Sequence, residues 1–252
     1  MTRRSEIADL LAAVAAGTVT PDAAAARLAA RPFVELGFAT VDTHREQRQD
    51  APEVVLAEGK TPGQVVAIAQ ALDRAGASSV LVTRASAEVR DAVRSAIPEA
   101  EEHELARAVW VRRRVPEPRG CVAIVSGGTS DGPVVHEARI RAELLGVEVR
   151  VHEDVGVAGL HRLGTALPDI MGAECVVVVA GMDAALASVV GGLAPCPVIG
   201  VPTSVGYGSA HGGTTALNAM LASCVDGLAV VGIDDGLGAG TVAARIARGR
   251  AA

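Results

Sequence analysis

Five runs rich in Val, Ile and Ala constrain the second half of this chain: Cys121–Val125, Glu148–His152, Glu174–Ala180, Pro197–Val201 and Leu228–Ile233. They are near-continuous rather than alternating, the pattern of parallel strands buried on both faces. Helical patterns separate them at 131–146, 161–171, 183–191, 213–223 and 239–249. Repeated β-α units of this length require right-handed crossovers and predict an α/β fold, a doubly wound parallel sheet between two helical layers. In such a sheet ligands bind beyond the carboxyl ends of the strands. Function is therefore expected in five loops.

The first half reads differently. Leu10, Leu11, Val14 and Ala15 recur at helical spacing, and the segment from Gly17 to Pro21 separates them from a second helix within residues 5–30. Thr20 is the expected N-cap, with Pro21 at the first helical position. From Phe38 onward, short strands at Phe38–Val41, Glu53–Leu56, Ser79–Thr83 and Ala108–Arg112 alternate with helices at Pro62–Ala75 and Ala85–Ile97. Two prolines within Val115–Arg119 then favour an extended linker. The expected organisation is N-terminal helices over 1–35, a small α/β module over 36–115 and the main α/β domain over 119–252. A chain of 252 residues buries roughly 70–75% of its unfolded surface, enough for one full core and a satellite. Half the residues are apolar but only 2% are aromatic, so that core is built of aliphatic side chains in close-packed layers.

The formal charge of −6 and the lack of any basic run beyond Arg112–Arg114 argue against nucleic acid, whose phosphates need a clustered basic face. A small anion is still accessible to a few arginines and backbone amides. No apolar run reaches the ~18 residues of a membrane span, and the polar start is not a signal peptide. The four cysteines (121, 175, 196 and 224) lack CxxC spacing, which disfavours structural zinc and a disulfide framework. The expectation is a reduced, cytoplasmic protein.

Each loop carries chemistry with more than one reading. After the first strand, Ser126, Gly127, Gly128, Thr129, Ser130 and Asp131 combine glycines, hydroxyls and a helix N-terminus, which suits a phosphate. An ordinary turn capped by Ser130 or Asp131 would look the same; neither a Walker loop nor a GxGxxG fingerprint is present. After the second strand, Asp154, His161 and Arg162 could bind or protonate an anionic substrate, while His161 also fits a plain surface histidine. After the third, Asp183 is either a helix cap or a general base, and one carboxylate can serve both roles. The fourth loop holds Gly206, Tyr207, Gly208, His211, Gly212 and Gly213. Such a loop is entropically costly to order and reads as one that wraps a substrate.

Cys224 ends the fourth helix and is expected to face the last strand's loop, Asp234-Asp235-Gly236. A buried small hydrophobe is the usual role of a free cysteine, and the other three fit it. A helix C-terminus does not activate a thiol, so a catalytic Cys224 needs other neighbours. The acidic pair 234–235 reads as a cap or solvated turn, with an oxygen-ligand cation such as Mg2+ as the alternative.

The motifs SGGTSD (126–131), LHR (160–162), VVVVAGMDAAL (176–186) and PVIGVP (197–202) resemble the PurE-type aminoimidazole ribonucleotide (AIR) carboxylase domain. That resemblance implies a flavodoxin-like, three-layer α/β/α sheet. More of the chain is similar to the LarB family, which makes the first intermediate of nickel-pincer nucleotide biosynthesis. The further matches are VDTHREQR (41–48), PEVVLAEGKT (52–61), DVGVAGLHRL (154–163), VPTSVGYG (201–208) and SCVDGLAVVGIDDGLGAG (223–240).

The LarB resemblance implies a carboxylase/hydrolase acting on nicotinic acid adenine dinucleotide, with CO2 or bicarbonate as co-substrate. The pyridinium would be carboxylated at C5 and the phosphoanhydride hydrolysed, giving pyridinium-3,5-biscarboxylic acid mononucleotide and AMP. Cys224 falls at the family's nucleophile and Asp183 at its acidic catalytic residue. SGGTSD would hold the ribotide phosphate. The rest of the dinucleotide is expected toward the loop of Gly206, Tyr207 and Gly208 and toward Asp42, Arg45, Arg48 and Lys60. Mg2+ is expected only from the chemistry of separating two phosphates. Relatives form homo-oligomers, octamers among them, and the Ala/Gly-rich helices are expected to pack across subunits. The chain departs from the family in having Asp183 for glutamate, Val225-Asp226 within the usual SCAPG, Asp235 for asparagine, and an added His211. The alternatives are a PurE-type purine-pathway carboxylase/mutase and a silent nicotinate-dinucleotide-binding module.

Overall fold

The computed structural model describes residues 3–29 and 32–250 and divides into two compact units. The first runs to Glu102 and takes in Ala108–Arg114; the second comprises His103–Arg107 and the chain from Val115 onward.

The first unit begins with helices α1 (Arg3–Ala15) and α2 (Pro21–Ala29), the latter entered through Thr20, whose hydroxyl accepts from the Ala23 amide at 3.2 Å. A two-stranded antiparallel ribbon follows, β1 (Phe33–Glu35) with β2 (Thr40–Asp42), then the short helix α3 (Arg45–Gln49). Next come β3 (Val54–Leu56), α4 (Pro62–Arg74), β4 (Ser79–Thr83), α5 (Ala87–Ala96), β5 (Glu101–His103) and β6 (Ala108–Arg112). Their sheet has the order β3-β4-β6-β5, with β3 parallel and β6 antiparallel to β4. Helix α4 starts at a capping box: Thr61 Oγ1 accepts from the Gln64 amide, and Gln64 Oε1 accepts from the Thr61 amide at 3.0 Å. Its buried face, Val65, Ile68, Ala69 and Leu72, covers the core. The expected strand at Phe38–Val41 forms two residues later, and β1, β5 and α3 are too short to leave a periodic signal.

The second unit is the doubly wound sheet. Its strands are β7 (Cys121–Ser126), β8 (Glu148–His152), β9 (Cys175–Ala180), β10 (Val198–Pro202) and β11 (Leu228–Val230). All pair in parallel, in the order β11-β10-β9-β7-β8. The chain steps from β7 out to β8, then crosses back over β7 to lay down β9, so winding reverses between β7 and β9. That is the flavodoxin-like order, with its ligand crevice at the reversal. Helices α6 (Gly132–Leu144), α7 (Leu167–Gly172), α8 (Ala185–Gly191), α9 (Thr214–Leu221) and α10 (Gly236–Arg250) cover both faces. Ala123, Val125, Val176 and Val178 point to the face with Ile170, Leu186 and Met220, and their even-numbered or odd-numbered neighbours point to the other.

The small residues of α10 pack against this chain's own core. Ala239, Ala243, Ala244 and Ala247 are fully buried within this chain. A Cβ on Gly236 or Gly240 would collide with the backbone of α6 at Val134 or Ala138, so close approach of α10 to α6 needs these glycines. The helix expected at 161–171 divides instead: a 3-10 stretch over Val157–Thr165 is kinked at Gly159, and α7 then starts afresh with Pro168 in its first turn. The last strand ends at Val230 rather than Ile233. Among the described residues all four cysteines are free, and no helix is long and apolar enough to cross a membrane.

Candidate functional site

The loop leaving β7 is held from three sides. The Gly127 amide donates to the Val179 carbonyl at the end of β9 (3.0 Å), and the Ser126 carbonyl accepts from Val155 (2.9 Å). The Gly128 amide donates to Asp131 Oδ2 at 3.0 Å. Asp131 is 3% exposed, and its other oxygen accepts from the hydroxyl of fully buried Thr203, at 2.8 Å. Burial pushes the Asp131 carboxyl above its ordinary range, against the two hydrogen bonds that favour the carboxylate; the nearby Asp234 raises it further. Asp131 thus ties the glycine loop to the end of β10.

The loop after β8 comes in against this one. Gly156 lies so close to the Gly127 carbonyl that a side chain at 156 would meet it. Arg162 folds back over the loop, with Nη1 2.7 Å from Asp154 Oδ1. Asp154 itself adopts a left-handed backbone (φ 57°).

After β9 the chain turns through Met182 (φ 55°) and Ala184 (φ 51°), both left-handed without being glycine. Gly181 is pressed against the Val205 carbonyl and Thr203 Oγ1, which explains the absence of a side chain there. Between the two strained residues Asp183 is exposed, its Oδ1 accepting from the Ala185 amide at 3.3 Å. The carboxylate therefore does cap-like work and still opens to solvent. Strained non-glycine backbone of this kind costs on the order of 1–3 kcal/mol per residue and clusters where geometry serves function.

These three loops enclose a cavity of 270 Å³ at the β7/β9 reversal. Gly127, Gly128, Ser130 and Asp131 line one wall, Gly156 and Arg162 a second, and Gly181 to Leu186 with Val205 a third. It offers the Ser130 hydroxyl and the Arg162 guanidinium for an anion, beside one exposed carboxylate able to move a proton.

Other expected residues do not line it. Ser126 is fully buried beneath the loop, its hydroxyl 3.4 Å from the Gly128 carbonyl. Thr129 and His161 are exposed and do not line the cavity. Gly206, Tyr207 and Gly208 also lie outside its lining, and Tyr207 is 77% exposed. Asp42, Arg45, Arg48 and Lys60 belong to the first unit. There Arg48 pairs with Asp42, Arg45 Nε donates to Gln49 Oε1 at 3.3 Å, and Lys60 donates to the Leu56 carbonyl at 2.7 Å. Among the described residues no group of three or more His, Cys, Asp or Glu side chains could hold a metal ion.

Cys224 requires a correction. It does not face Asp234-Asp235-Gly236. Asp234 sits at the carboxyl end of the sheet, its amide bonded to the Pro202 carbonyl at 2.9 Å. Cys224 follows the C-terminus of α9 and precedes Gly227, whose carbonyl accepts from Val198 at the start of β10 (3.0 Å). A helix that returns from a strand's carboxyl end must finish at the opposite edge, and so the thiol is exposed there.

Sequence reasoning missed Thr203, Gly156 and Gly181 as parts of the site. Gly181 and Thr203 were legible in principle, because each follows directly on a strand of the predicted parallel sheet.

A family model described as the LarB/PurE-like N-terminal domain matches residues 33–113, and one described as AIR carboxylase matches residues 121–251. An uncharacterised protein of Methanocaldococcus jannaschii is 37% identical over 216 residues, covering 82% of this chain and 83% of that one. A solved structure of a PurE2 variant from Treponema denticola is 22% identical, with a TM-score of 0.42, over 51% of this chain and 79% of the other. The C-terminal domain is of the carboxylase type, and with its N-terminal partner domain the chain belongs to the LarB family.

Proposed function

We propose that this protein carboxylates the pyridinium ring of nicotinic acid adenine dinucleotide at C5 and hydrolyses its phosphoanhydride. The products would be pyridinium-3,5-biscarboxylic acid mononucleotide and AMP. One observation carries the reading: a cavity at the strand reversal pairs a glycine-rich loop with an exposed carboxylate, Asp183, in a chain whose N-terminal match is to the LarB/PurE-like N-terminal domain rather than to a lone purine-pathway domain.

The chemistry follows from the substrate. A pyridinium is electrophilic at C4, where the Cys224 thiolate of a neighbouring subunit, Cys224 of the same chain being at the opposite edge of the sheet, adds and forms an S–C4 bond. Addition leaves an enamine, whose C5 attacks CO2 to make the new C–C bond. Asp183 takes the C5 proton, the C–H electron pair becomes the C4–C5 double bond, and the thiolate leaves. The ring is again aromatic, one proton has passed to the base, and no electrons are gained or lost. Gly127 and Gly128 let the ribotide phosphate come close to the loop beside Ser130, and Arg162 supplies the neighbouring positive charge. The phosphoanhydride is then cleaved by water.

The test is incubation with nicotinic acid adenine dinucleotide and bicarbonate, with and without Mg2+, followed by mass spectrometry of the products. The expected result is carboxylated mononucleotide plus AMP, absent from a Cys224→Ala protein. Binding of the dinucleotide by both proteins without product from either would replace this reading by that of a silent binding module.

A further inference from the structure

Helix α6 buries a histidine that does not line the cavity. His136 is 8% exposed, and among the described residues neither of its ring nitrogens has a hydrogen-bond partner. Three charged or titratable groups face it. Glu153, the residue after β8, has Oε2 3.4 Å from His136 Nε2, close enough for an ion pair once the ring is protonated. The His103 ring lies 5.1 Å away between centroids, tilted by 36°. Arg139, one turn further along α6, has Nη2 2.8 Å from His103 Nε2, and its Nε is 3.6 Å from Glu143 Oε1. The buried ring therefore has one carboxylate beside it and, opposing that carboxylate, a guanidinium and a second imidazole.

Glu153 also touches the roots of two cavity walls. Its other oxygen, Oε1, lies 3.4 Å from the point where a Cβ on Gly132 would stand, so the side chain runs along the first turn of α6. Gly132 directly follows Asp131 of the glycine loop. Glu153 directly precedes Asp154, whose carboxylate holds Arg162 at the cavity. A charge that appears on His136 is thus felt where both loops begin. Burial holds the His136 imidazole below its ordinary value of 6.5; Glu153 opposes this and the Arg139 charge adds to it. Burial and the same arginine also hold His103 down.

We propose that His136 and Glu153 form a proton-operated latch between α6 and the loop over residues 153–162, seated while the ring is neutral and released when the ring takes up a proton. An imidazolium in this pocket would be nine-tenths buried with a guanidinium close by, and one carboxylate does not offset that cost. Leaving the pocket gives the ring water, and Glu153, already exposed, moves with it. In the released form the ring titrates at its ordinary value. As pH falls from 6.5 toward the folded value, release is favoured by up to about tenfold per pH unit. The consequence for function is a weaker hold on an anionic ligand in acid. Only that last step rests on the cavity reading above; the latch itself needs the geometry alone.

Histidine NMR and hydrogen exchange test the latch without ligand. The His136 ring is expected to titrate below 6.5, and the amides of residues 153–163 to open more often as pH falls from about 7.5 to 5, after correction for intrinsic exchange. His136→Leu keeps the pocket filled and should make that opening independent of pH. Glu153→Gln removes the one neighbour that favours the imidazolium and should move the ring's midpoint further down. A wild-type loop whose opening ignores pH, or a His136→Leu loop that still opens in acid, overturns the latch. An unmoved midpoint in Glu153→Gln overturns the pairing. Calorimetric titration with nicotinic acid adenine dinucleotide then reads the consequence: affinity should fall more steeply with acid in wild type than in His136→Leu. Equal pH profiles in the two proteins overturn the coupling to the cavity. If the loop opens as expected but the dinucleotide binds at no pH, the ligand assignment fails and the latch stands.

Discussion

The hydroxyl of Thr203, fully buried, donates to Asp131 Oδ1 at 2.8 Å across a separation of 72 residues, and so the end of β10 fixes the glycine loop after β7. Replacing Thr203 by valine keeps the shape and removes the donor. A buried carboxyl oxygen is then left without a partner, which costs on the order of 1–3 kcal/mol. For a chain of this size that corresponds to a fall in Tm of about 2–4 °C per kcal/mol. Thr203→Ser keeps the hydroxyl and should lose less. Thermal denaturation of the two variants side by side decides the matter: equal Tm values would show that the hydrogen bond contributes nothing.

The same pair makes a pH prediction. The folded Asp131 carboxyl titrates above its ordinary value of 3.8, chiefly because it is buried. Between 3.8 and its raised folded value, the folded protein binds more protons than the unfolded chain. Stability contributed by this group is therefore complete at lower pH and is lost as pH rises through the folded value. Asp131→Asn removes the charge while an amide can still accept from Gly128 and donate to Thr203. The variant should be as stable as wild type or more so at pH 7, with its advantage gone near pH 4. Urea midpoints across pH 4–7 test this; an Asn variant less stable at neutral pH would mean that the carboxylate is worth more than its desolvation.

Much of the second unit is legible in sequence because burial on both faces leaves an unbroken apolar signature, as in Val176–Val179. The reversal between β7 and β9 then locates the cavity. The glycine loop and Asp183 emerge at that edge for the same reason. What local sequence does not carry is anything decided over long range. Nothing near Asp131 announces Thr203, and nothing in Met182 or Ala184 signals a left-handed backbone, which glycine or asparagine would have done. Cys224 was misplaced for a different reason. Its proximity in sequence to the last strand hides the fact that an intervening helix delivers it to the far edge of the sheet.

Two glycines of the site separate fold from ligand. A Cβ at 156 would collide with the Gly127 carbonyl, so Gly156→Ala must push two loops apart. Overpacking of that kind costs about 1–3 kcal/mol, and both stability and nucleotide binding should suffer. A Cβ at 128 meets nothing within 4 Å in the free protein. Gly128→Ala should therefore leave Tm unchanged, yet weaken binding about tenfold, or roughly 1.4 kcal/mol, if a phosphate packs against its Cα. Calorimetric titration with nicotinic acid adenine dinucleotide reads the difference, and unaltered affinity in Gly128→Ala would remove the phosphate from this loop.

Asp183 carries two readings that a single amide substitution separates. Its Oδ1 accepts from the Ala185 amide at 3.3 Å, a role that an asparagine oxygen fills equally well. The exposed position means that charge removal leaves no buried group without a partner. Asp183→Asn should consequently keep its Tm within a degree or so and bind the dinucleotide normally. Removing a general base, by contrast, lowers kcat by about 10²–10⁴. Asp183→Glu keeps the carboxylate on a stem one methylene longer and should retain turnover, with any loss reflecting how well the longer arm meets the C5 proton. Full activity in Asp183→Asn would reduce the residue to a helix cap and require another base on the cavity wall, for which Asp131 is the remaining carboxyl.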